Sequence, residues 1–208
     1  MRKNEAYSVE ITGLTAEGAG VARVDGQVVF VPGVIPGERC KIKIDHVGRT
    51  CAYASLVWVE ESSVHRVTPE CESFGKCGGC VFWHMDYACE LEQKRQRVQD
   101  ALLRIGGVHF PDLQITGSQS IYGYRNKVQF PVQSQNGKTI AGFYRAGSHT
   151  VIPITGCKIQ SESAEQIRAA VLSWMEKENV PAYDERTHTG LVRHIYLRYG
   201  AKSGQTLV

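Results

Sequence analysis

Three cysteines lie within ten residues in the segment CESFGKCGGC, residues 71–80. The spacing C-x5-C-x2-C puts three thiols on one short loop, and the two glycines between Cys77 and Cys80 let the backbone turn tightly beside them. Thiolates bind soft or borderline metals when a fold holds several of them close together. The segment therefore predicts a metal site with three local ligands, Cys71, Cys77 and Cys80, and a fourth ligand from elsewhere in the chain.

The remaining cysteines are the candidates for the fourth ligand: Cys40, Cys51, Cys89 and Cys157. Cys40 alternates in phase with two isoleucines and Cys51 begins another apolar stretch, so we interpret both as small core residues of strands. Cys89 lies at the start of a predicted helix, which would have to fold straight back onto the loop. Cys157 follows a glycine in a short connection between a predicted strand and a predicted helix. We expect Cys157 to complete the site.

The spacing also bears on which metal is bound. Structural zinc sites usually combine two C-x2-C pairs, and this sequence contains one such pair and two single cysteines. A four-iron four-sulfur cluster accepts three neighbouring thiolates and one distant thiolate. We therefore expect a 4Fe-4S cluster with a structural role, and zinc is the alternative.

Composition and hydropathy indicate where such a chain functions. The 208 residues are 42% hydrophobic and include seven cysteines, but no apolar run approaches the ~18 residues that a membrane helix needs. The first residues, MRKNEAYSVEITG, lack the apolar stretch of a secretory signal. We expect a soluble cytoplasmic protein, in which clustered cysteines bind metal rather than form disulfides.

Residues 1–60 have the pattern of short strands. Apolar residues alternate with charged residues in RCKIKID, and Asp25-Gly26 is typical of a two-residue hairpin turn. About five strands in about 55 residues predict an all-β barrel of the oligonucleotide-binding type. The polar stretch EESSVHRVTPE then marks a domain boundary.

Three further segments complete the predicted organisation. Residues 61–85 form the cysteine-rich loop, and residues 86–110 form a linking amphipathic helix that Asp86 caps and that Gly106-Gly107 ends. Residues 111–208 alternate strands with a second helix, for which Ser163 and Gln166 suggest a capping box, and predict an α+β domain. The final residues, QTLV, resemble a strand that is cut, so we expect a fragment of a longer protein; a genuine terminal strand docked in a sheet is the alternative.

These segments together resemble a known family. The small barrel, the cysteine loop with its continuation VFWHMDYACELEQKRQRVQDALLRIGG, and then YRNKVQF, GFYRAGSHTVIPITGC and HTGLVRHIYLR are similar to bacterial RNA uracil-5-methyltransferases that act on 23S ribosomal RNA. The resemblance covers essentially all 208 residues in order. It implies that the barrel is a TRAM domain, an RNA-binding module, and that Cys71, Cys77, Cys80 and Cys157 are cluster ligands.

The resemblance also implies a mechanism. A cysteine thiolate adds to carbon 6 of a flipped uracil, S-adenosylmethionine supplies the methyl group to carbon 5, and a carboxylate base removes the proton. In the family those residues and the S-adenosylmethionine-binding α/β domain follow the segments matched here. We therefore expect that domain to be absent from this chain, and we assign it no catalytic and no cofactor-binding residue.

The retained function would be RNA recognition. Residues 111–208 carry eleven Lys and Arg against seven Asp and Glu, and several of these cations lie near tyrosines in the sequence. Such a pattern suits phosphate contacts and stacking on unpaired bases; an ordinary solvated strand face is the alternative. The candidate RNA-binding residues are Arg125, Lys127, Arg145, Arg193, His194 and Arg198.

Three functions remain open from the sequence. The first is the RNA-recognition and iron-sulfur portion of an RNA uracil-5-methyltransferase. The second is a stand-alone RNA-binding module with a structural metal, and the third is a small electron-transfer protein. For the first we expect a monomer whose partner is RNA, specifically 23S ribosomal RNA, and which has no membrane partner.

Overall fold

The computed structural model describes residues 1–208 and divides the chain into two compact units. Unit 1 comprises Met1–Pro69 and Val81–Gly117, and unit 2 comprises Glu70–Cys80 and Ser118–Val208. The chain thus passes from one unit to the other three times. The domain limits expected near residues 60, 85 and 110 stay predictions, whereas compactness groups the cysteine-rich loop with the C-terminal residues.

Unit 1 is built on a six-stranded sheet in the order β1-β5-β6-β4-β3-β2, in which only the β4 and β6 pair is parallel. The sheet has one strand more than the sequence predicts, because a two-residue β2 precedes β3. The predicted Asp25-Gly26 turn is confirmed, with φ values of 50° and 80°. The strands are β1 Ala6–Glu10, β2 Gly13–Leu14, β3 Ala19–Val24, β4 Gln27–Pro32, β5 Arg39–Val47 and β6 Cys51–Glu61.

The strand register decides which cysteines of this sheet lie in the core. Cys40 is fully buried among alternating aliphatic residues, as predicted. The core placement of Cys51 is wrong, because this side chain is partly exposed. On β6 the inward positions are taken by Ala52 and Ala54, so the period of two places Cys51 on the outer face together with Tyr53.

The predicted helix follows the sheet. Helix α1 spans Tyr87–Arg104, and the carboxylate of its N-cap, Asp86, accepts a hydrogen bond of 2.7 Å from the backbone of Cys89. Gly107 adopts the left-handed conformation just beyond the helix, as expected of its stop. Cys89 is buried with Ile35 and Met85 in a small apolar cluster of unit 1. This helix therefore uses its cysteine for packing.

A buried ion pair joins the sheet of unit 1 to the segment after β6. Glu38 is fully buried, and both of its carboxylate oxygens accept hydrogen bonds from the guanidinium of Arg66. The backbone N–H groups of Ile35 and Ser63 donate to the same carboxylate, and Arg66 also donates to the carbonyl of Gly33 at 2.9 Å. Burial by itself would raise the pKa of Glu38, but the Arg66 guanidinium and these backbone donors hold it below its ordinary value.

Unit 2 contains a five-stranded antiparallel sheet in the order β11-β10-β7-β8-β9, with helix α2 packed on one face. The predicted Asn136-Gly137 turn between β7 and β8 is confirmed by φ values of 51° and 74°. The expected terminal strand pairs with β10. The elements are β7 Lys127–Gln135, β8 Lys138–Tyr144, β9 Val151–Pro153, α2 Glu162–Lys177, β10 His194–Tyr199 and β11 Thr206–Leu207.

The start of α2 differs from the predicted capping box. Ser161, not Ser163, is the N-cap: it has extended backbone angles and its hydroxyl accepts a hydrogen bond from the backbone of Ala164. The hydroxyl of Ser163 instead pairs with that of Ser161 at 2.9 Å. Two serines precede the apolar stripe, and the helix begins after the earlier one. Neither helix is long and apolar enough to cross a membrane.

The buried ion pair predicts how unit 1 responds to substitution and to pH. Glu38→Gln should lower the free energy of unfolding by about 3 kcal/mol at pH 7, because it leaves the partly buried Arg66 charge without a counterion. The pKa of Glu38 is lowered in the folded state, so its stabilising effect is present above the ordinary value of 4.5 and is lost as the pH falls through the folded value. Urea unfolding of the unaltered chain and of Glu38→Gln should therefore show that the difference between their free energies of unfolding becomes smaller below pH 4.5.

Glu60→Gln is the matched control, because Glu60 forms an ion pair with the exposed Arg39 and lies on the same sheet. Its effect should be much smaller than that of Glu38→Gln. Equal losses for the two variants would show that the Arg66 pair does not hold unit 1 together.

Candidate metal centre and nucleic-acid surface

The cysteine-rich loop is ordered by its own turns and by backbone pairing within unit 2. The N–H of Cys77 donates to the carbonyl of Ser73 at 2.9 Å, and the N–H of Gly79 points at the sulfur of Cys77 at 3.3 Å. Gly78 donates to the carbonyl of Tyr144, the last residue of β8, at 3.0 Å. A Cβ at Gly78 would lie 3.2 Å from the backbone of Ala146, which is tighter than most Cβ contacts, so the close approach favours glycine here.

Cys157 lies in the connection between β9 and α2, as predicted. Gly156 before it has a φ of 64°, which turns the chain. Burial raises the pKa of the Cys157 thiol, and hydrogen bonds from the backbone N–H groups of Ile159 and Gln160 partly oppose that rise. The segment after the cysteine is held by Gly123, whose N–H donates to the carbonyl of Lys158, and by Arg125, whose N–H donates to that of Ile159. This backbone pairing fixes the position of Cys157 within unit 2.

The four thiols of the predicted site share one electrostatic environment. Burial raises the pKa of Cys77, Cys80 and Cys157, that of Cys80 to about 11, and the charges of the neighbouring cysteines raise them further. Each of these three thiols is affected by Cys71 as well. Because such effects are largely screened beyond about 10 Å, Cys157 lies in the same region of unit 2 as the three cysteines of the loop.

The arrangement can be compared with the needs of two kinds of metal centre. No group of three or more His, Cys, Asp or Glu side chains has the spacing of a site for a single metal ion. Tetrahedral zinc with Zn–S bonds of about 2.3 Å needs its sulfurs within about 4 Å of one another. A four-iron cluster occupies more room between the same thiolates. The cluster and the zinc alternative therefore both stay predictions.

Arg125, a predicted RNA contact, lies beside these cysteines. Its positive charge lowers the pKa of Cys77, Cys80 and Cys157, against the effect of burial. The side chain is only partly exposed. A cation at this position favours thiolates, which are the forms that bind metal.

Two other predicted RNA-binding residues lie on the open face of the sheet in unit 2. In the β7 and β10 pair, Lys127 lies opposite Arg198, and the ammonium group of Lys127 lies 5.5 Å from the ring centre of Tyr196. All three side chains are exposed, whereas the alternate residues of both strands are buried against α2. This face therefore presents two cations around an accessible aromatic ring. His194, on the same strand, is half-buried, and burial together with Arg193 lowers its pKa.

The remaining two predicted residues lie in a different setting. Arg193 forms an ion pair of 2.8 Å with Glu185 and lies over the ring of Tyr183, and Glu185 also contacts His149 at 3.0 Å. Arg145 is exposed and forms a backbone bridge with Cys77 at the cysteine loop. Glu185 was missed by sequence reasoning, because it lies in a loop with no pattern that points to either partner.

Comparison with known proteins begins with the N-terminal sheet. The TRAM domain family matches residues 2–57, which include β1 to β5 and most of β6. This confirms the TRAM assignment of the predicted barrel.

The whole chain also has relatives. It is 39% identical over 208 residues to an RNA methyltransferase of Clostridium tetani, and 38% identical over 209 residues to an RNA methyltransferase of Halalkalibacterium halodurans. Each match covers 100% of this chain, but 45% and 46% of the respective relatives. The chain thus spans about half the length of the relatives that it matches.

One solved structure has a similar fold and corrects the predicted fold class. The crystal structure of Pyrococcus abyssi tRNA (uracil-54, C5)-methyltransferase in complex with S-adenosyl-L-homocysteine matches 95% of this chain and 44% of that chain, with a TM-score of 0.68 and 21% identity. The chain, with eleven strands and two helices, is mostly β. The predicted fold class included the absence of the S-adenosylmethionine-binding domain, and this comparison shows that prediction to be wrong. That prediction rested on the order of segments in the family that the sequence resembles, and a resemblance in segment order does not define a fold class.

These matches cover different parts of the chain. The TRAM domain accounts for the first sheet, and the similarity to RNA methyltransferases continues through the cysteine loop and both helices to the end of unit 2. The chain thus contains a TRAM domain and is similar, over its whole length, to about half of each of these RNA methyltransferases.

Proposed function

We propose that the protein is an S-adenosylmethionine-dependent RNA uracil-5-methyltransferase with 23S ribosomal RNA as its substrate. The residues of this chain would supply RNA recognition and a four-cysteine iron-sulfur centre. The observation that supports the proposal is that all four cysteines belong to unit 2, where Cys157 and Arg125 both affect the pKa of loop thiols. The similarity to RNA methyltransferases over the whole chain supports the same reading.

The proposed cluster would be held by Cys71, Cys77, Cys80 and Cys157. Without metal, burial keeps the pKa of three of these thiols above its ordinary value, so the thiols are protonated at neutral pH. Metal binding would displace those protons, and the thiolates would cross-link the loop to the segment after β9. A cross-link between positions so far apart in sequence restricts the unfolded chain and stabilises the folded one. The role we propose for the centre is therefore structural.

The open sheet face gives the proposed RNA contact its chemistry. Lys127 and Arg198 can neutralise phosphates, and the exposed ring of Tyr196 can stack on an unpaired base between them. A uracil must leave its stack before carbon 5 can be methylated, so single-stranded segments beside the target have to be held. S-adenosylmethionine, when bound, supplies the methyl group. These three residues would bind and orient the RNA strand.

The metal proposal predicts a coloured protein. Anaerobically purified chain should be brown, absorb broadly near the blue end of the visible spectrum and contain about four iron atoms per chain. Cys157→Ala should abolish the colour, because it removes the distant ligand. Cys51→Ala, at a partly exposed cysteine of unit 1, should keep the colour and the iron. A colourless protein with stoichiometric zinc would contradict the cluster assignment.

The proposed RNA contact predicts that the affinity for RNA depends on salt concentration through the open sheet face. Lys127→Ala and Arg198→Ala should each weaken binding of a single-stranded segment of 23S ribosomal RNA and reduce the slope of log K against log salt by about one. Fluorescence anisotropy at several salt concentrations measures both quantities. Lys177→Ala, on α2 and so away from the open face, is the charge-matched control and should leave the slope unchanged. Equal slopes for all three variants would remove the sheet face from the RNA-binding surface.

A further inference from the structure

A cleft opens in unit 1 where two strands of the TRAM sheet separate. The parallel pairing of β4 with β6 ends at Phe30 and Tyr53, after which β4 continues beside β3 and β6 continues beside β5. The strands diverge beyond this pair, and the space between them has a volume of about 650 Å³. It is open to solvent and lies within the range of small-ligand sites. None of the candidate residues discussed above lies in it.

Aromatic rings form one wall of this cleft. The rings of Phe30 and Tyr53 lie 5.7 Å apart between centres, and the ring of His46 lies 6.4 Å from that of Tyr53. Tyr53 is 51% exposed although it belongs to a central strand of the sheet. A planar aromatic side chain with half its surface in solvent is a stacking surface for a nucleobase.

The charged groups of the cleft are carboxylates, which carry negative charge and accept hydrogen bonds. Asp45 and Glu17 line it, and the hydroxyl of Ser55 donates to the Asp45 carboxylate. Asp45 lies at an irregularity of β5 between Ile44 and His46, and the alternation of the strand puts it on the face opposite the buried Ile44. The lining residues include no Lys and no Arg. The two carboxylates therefore repel a phosphate, whereas they can accept hydrogen bonds from the N–H groups of a base edge.

Guanine is the base that these groups fit best. Its Watson–Crick edge carries an imino N–H and an amino group side by side, and a carboxylate can accept from both. Uracil offers one imino N–H, and adenine and cytosine offer one amino group each. We propose that the cleft binds one unpaired guanine of the RNA substrate, with its ring stacked on Tyr53 and its Watson–Crick edge on Asp45. This inference rests on the proposed RNA-binding function and adds a base-specific contact in the TRAM domain.

The test uses the full chain and fluorescein-labelled oligouridines of nine residues with one central substitution. The oligomer with a central guanosine should bind about tenfold more tightly than the oligomer with inosine, which lacks the amino group. Tyr53→Ala should weaken binding of the guanosine oligomer about tenfold through lost stacking. Asp45→Asn should abolish the preference for guanosine over inosine, because the amide donates where the base also donates.

Trp58→Ala is the matched control for the tyrosine. Trp58 lies on the same strand, is 54% exposed and does not line the cleft. It should bind the guanosine oligomer as the unaltered chain does, and thermal unfolding checks that all variants fold. RNA binding that is unaffected by Tyr53→Ala, or that is equal for guanosine and inosine, overturns the guanine site alone. An unaltered chain that binds none of the oligomers, nor the ribosomal RNA segment, overturns the proposed RNA-binding function.

Discussion

Backbone hydrogen bonds within unit 2 order the segments that carry the four cysteines of the proposed site. The loop of residues 71–80 pairs with the end of β8, and the segment after Cys157 pairs with residues 123–125. Burial in these segments raises the pKa of Cys77, Cys80 and Cys157. Since such thiols resist ionisation, the proposed centre would have to displace their protons on binding.

Each unit is stabilised in its own way. Unit 1 has an aliphatic sheet core and one buried carboxylate, Glu38, whose hydrogen bonds all come from nearby donors and the Arg66 guanidinium. Unit 2 has a sheet with one face buried by α2 and leaves the other face free for cations. The proposed cluster would add a cross-link between distant segments of unit 2.

Charge is distributed so that different surfaces suit different parts of a nucleic acid. The open face of unit 2 carries Lys127 and Arg198 around Tyr196, which suits a phosphate backbone with an unpaired base. The cleft of unit 1 carries carboxylates beside Tyr53, which repel phosphate and suit the donor edge of a base. In the proposed function, the first surface would contribute affinity and the second would contribute selectivity.

Local sequence signals determined the turns, the helix starting at Asp86 and the loop with three cysteines, because these depend on residues within a few positions of one another. Local signals gave the wrong N-cap for α2, because Ser161 and Ser163 are equivalent choices in the local sequence. They also misplaced Cys51, because the strand register decides which residues of β6 face outward.

The tertiary structure alone decided which distant groups meet. It placed Arg125 beside the thiols, gave Arg193 an ion-pair partner in Glu185, and separated β4 from β6 beyond Tyr53. Spacing along the chain predicted Cys157 as the fourth ligand but not its surroundings. Contacts between remote segments depend on sheet pairing and packing across the whole unit, and no short stretch of sequence carries that information.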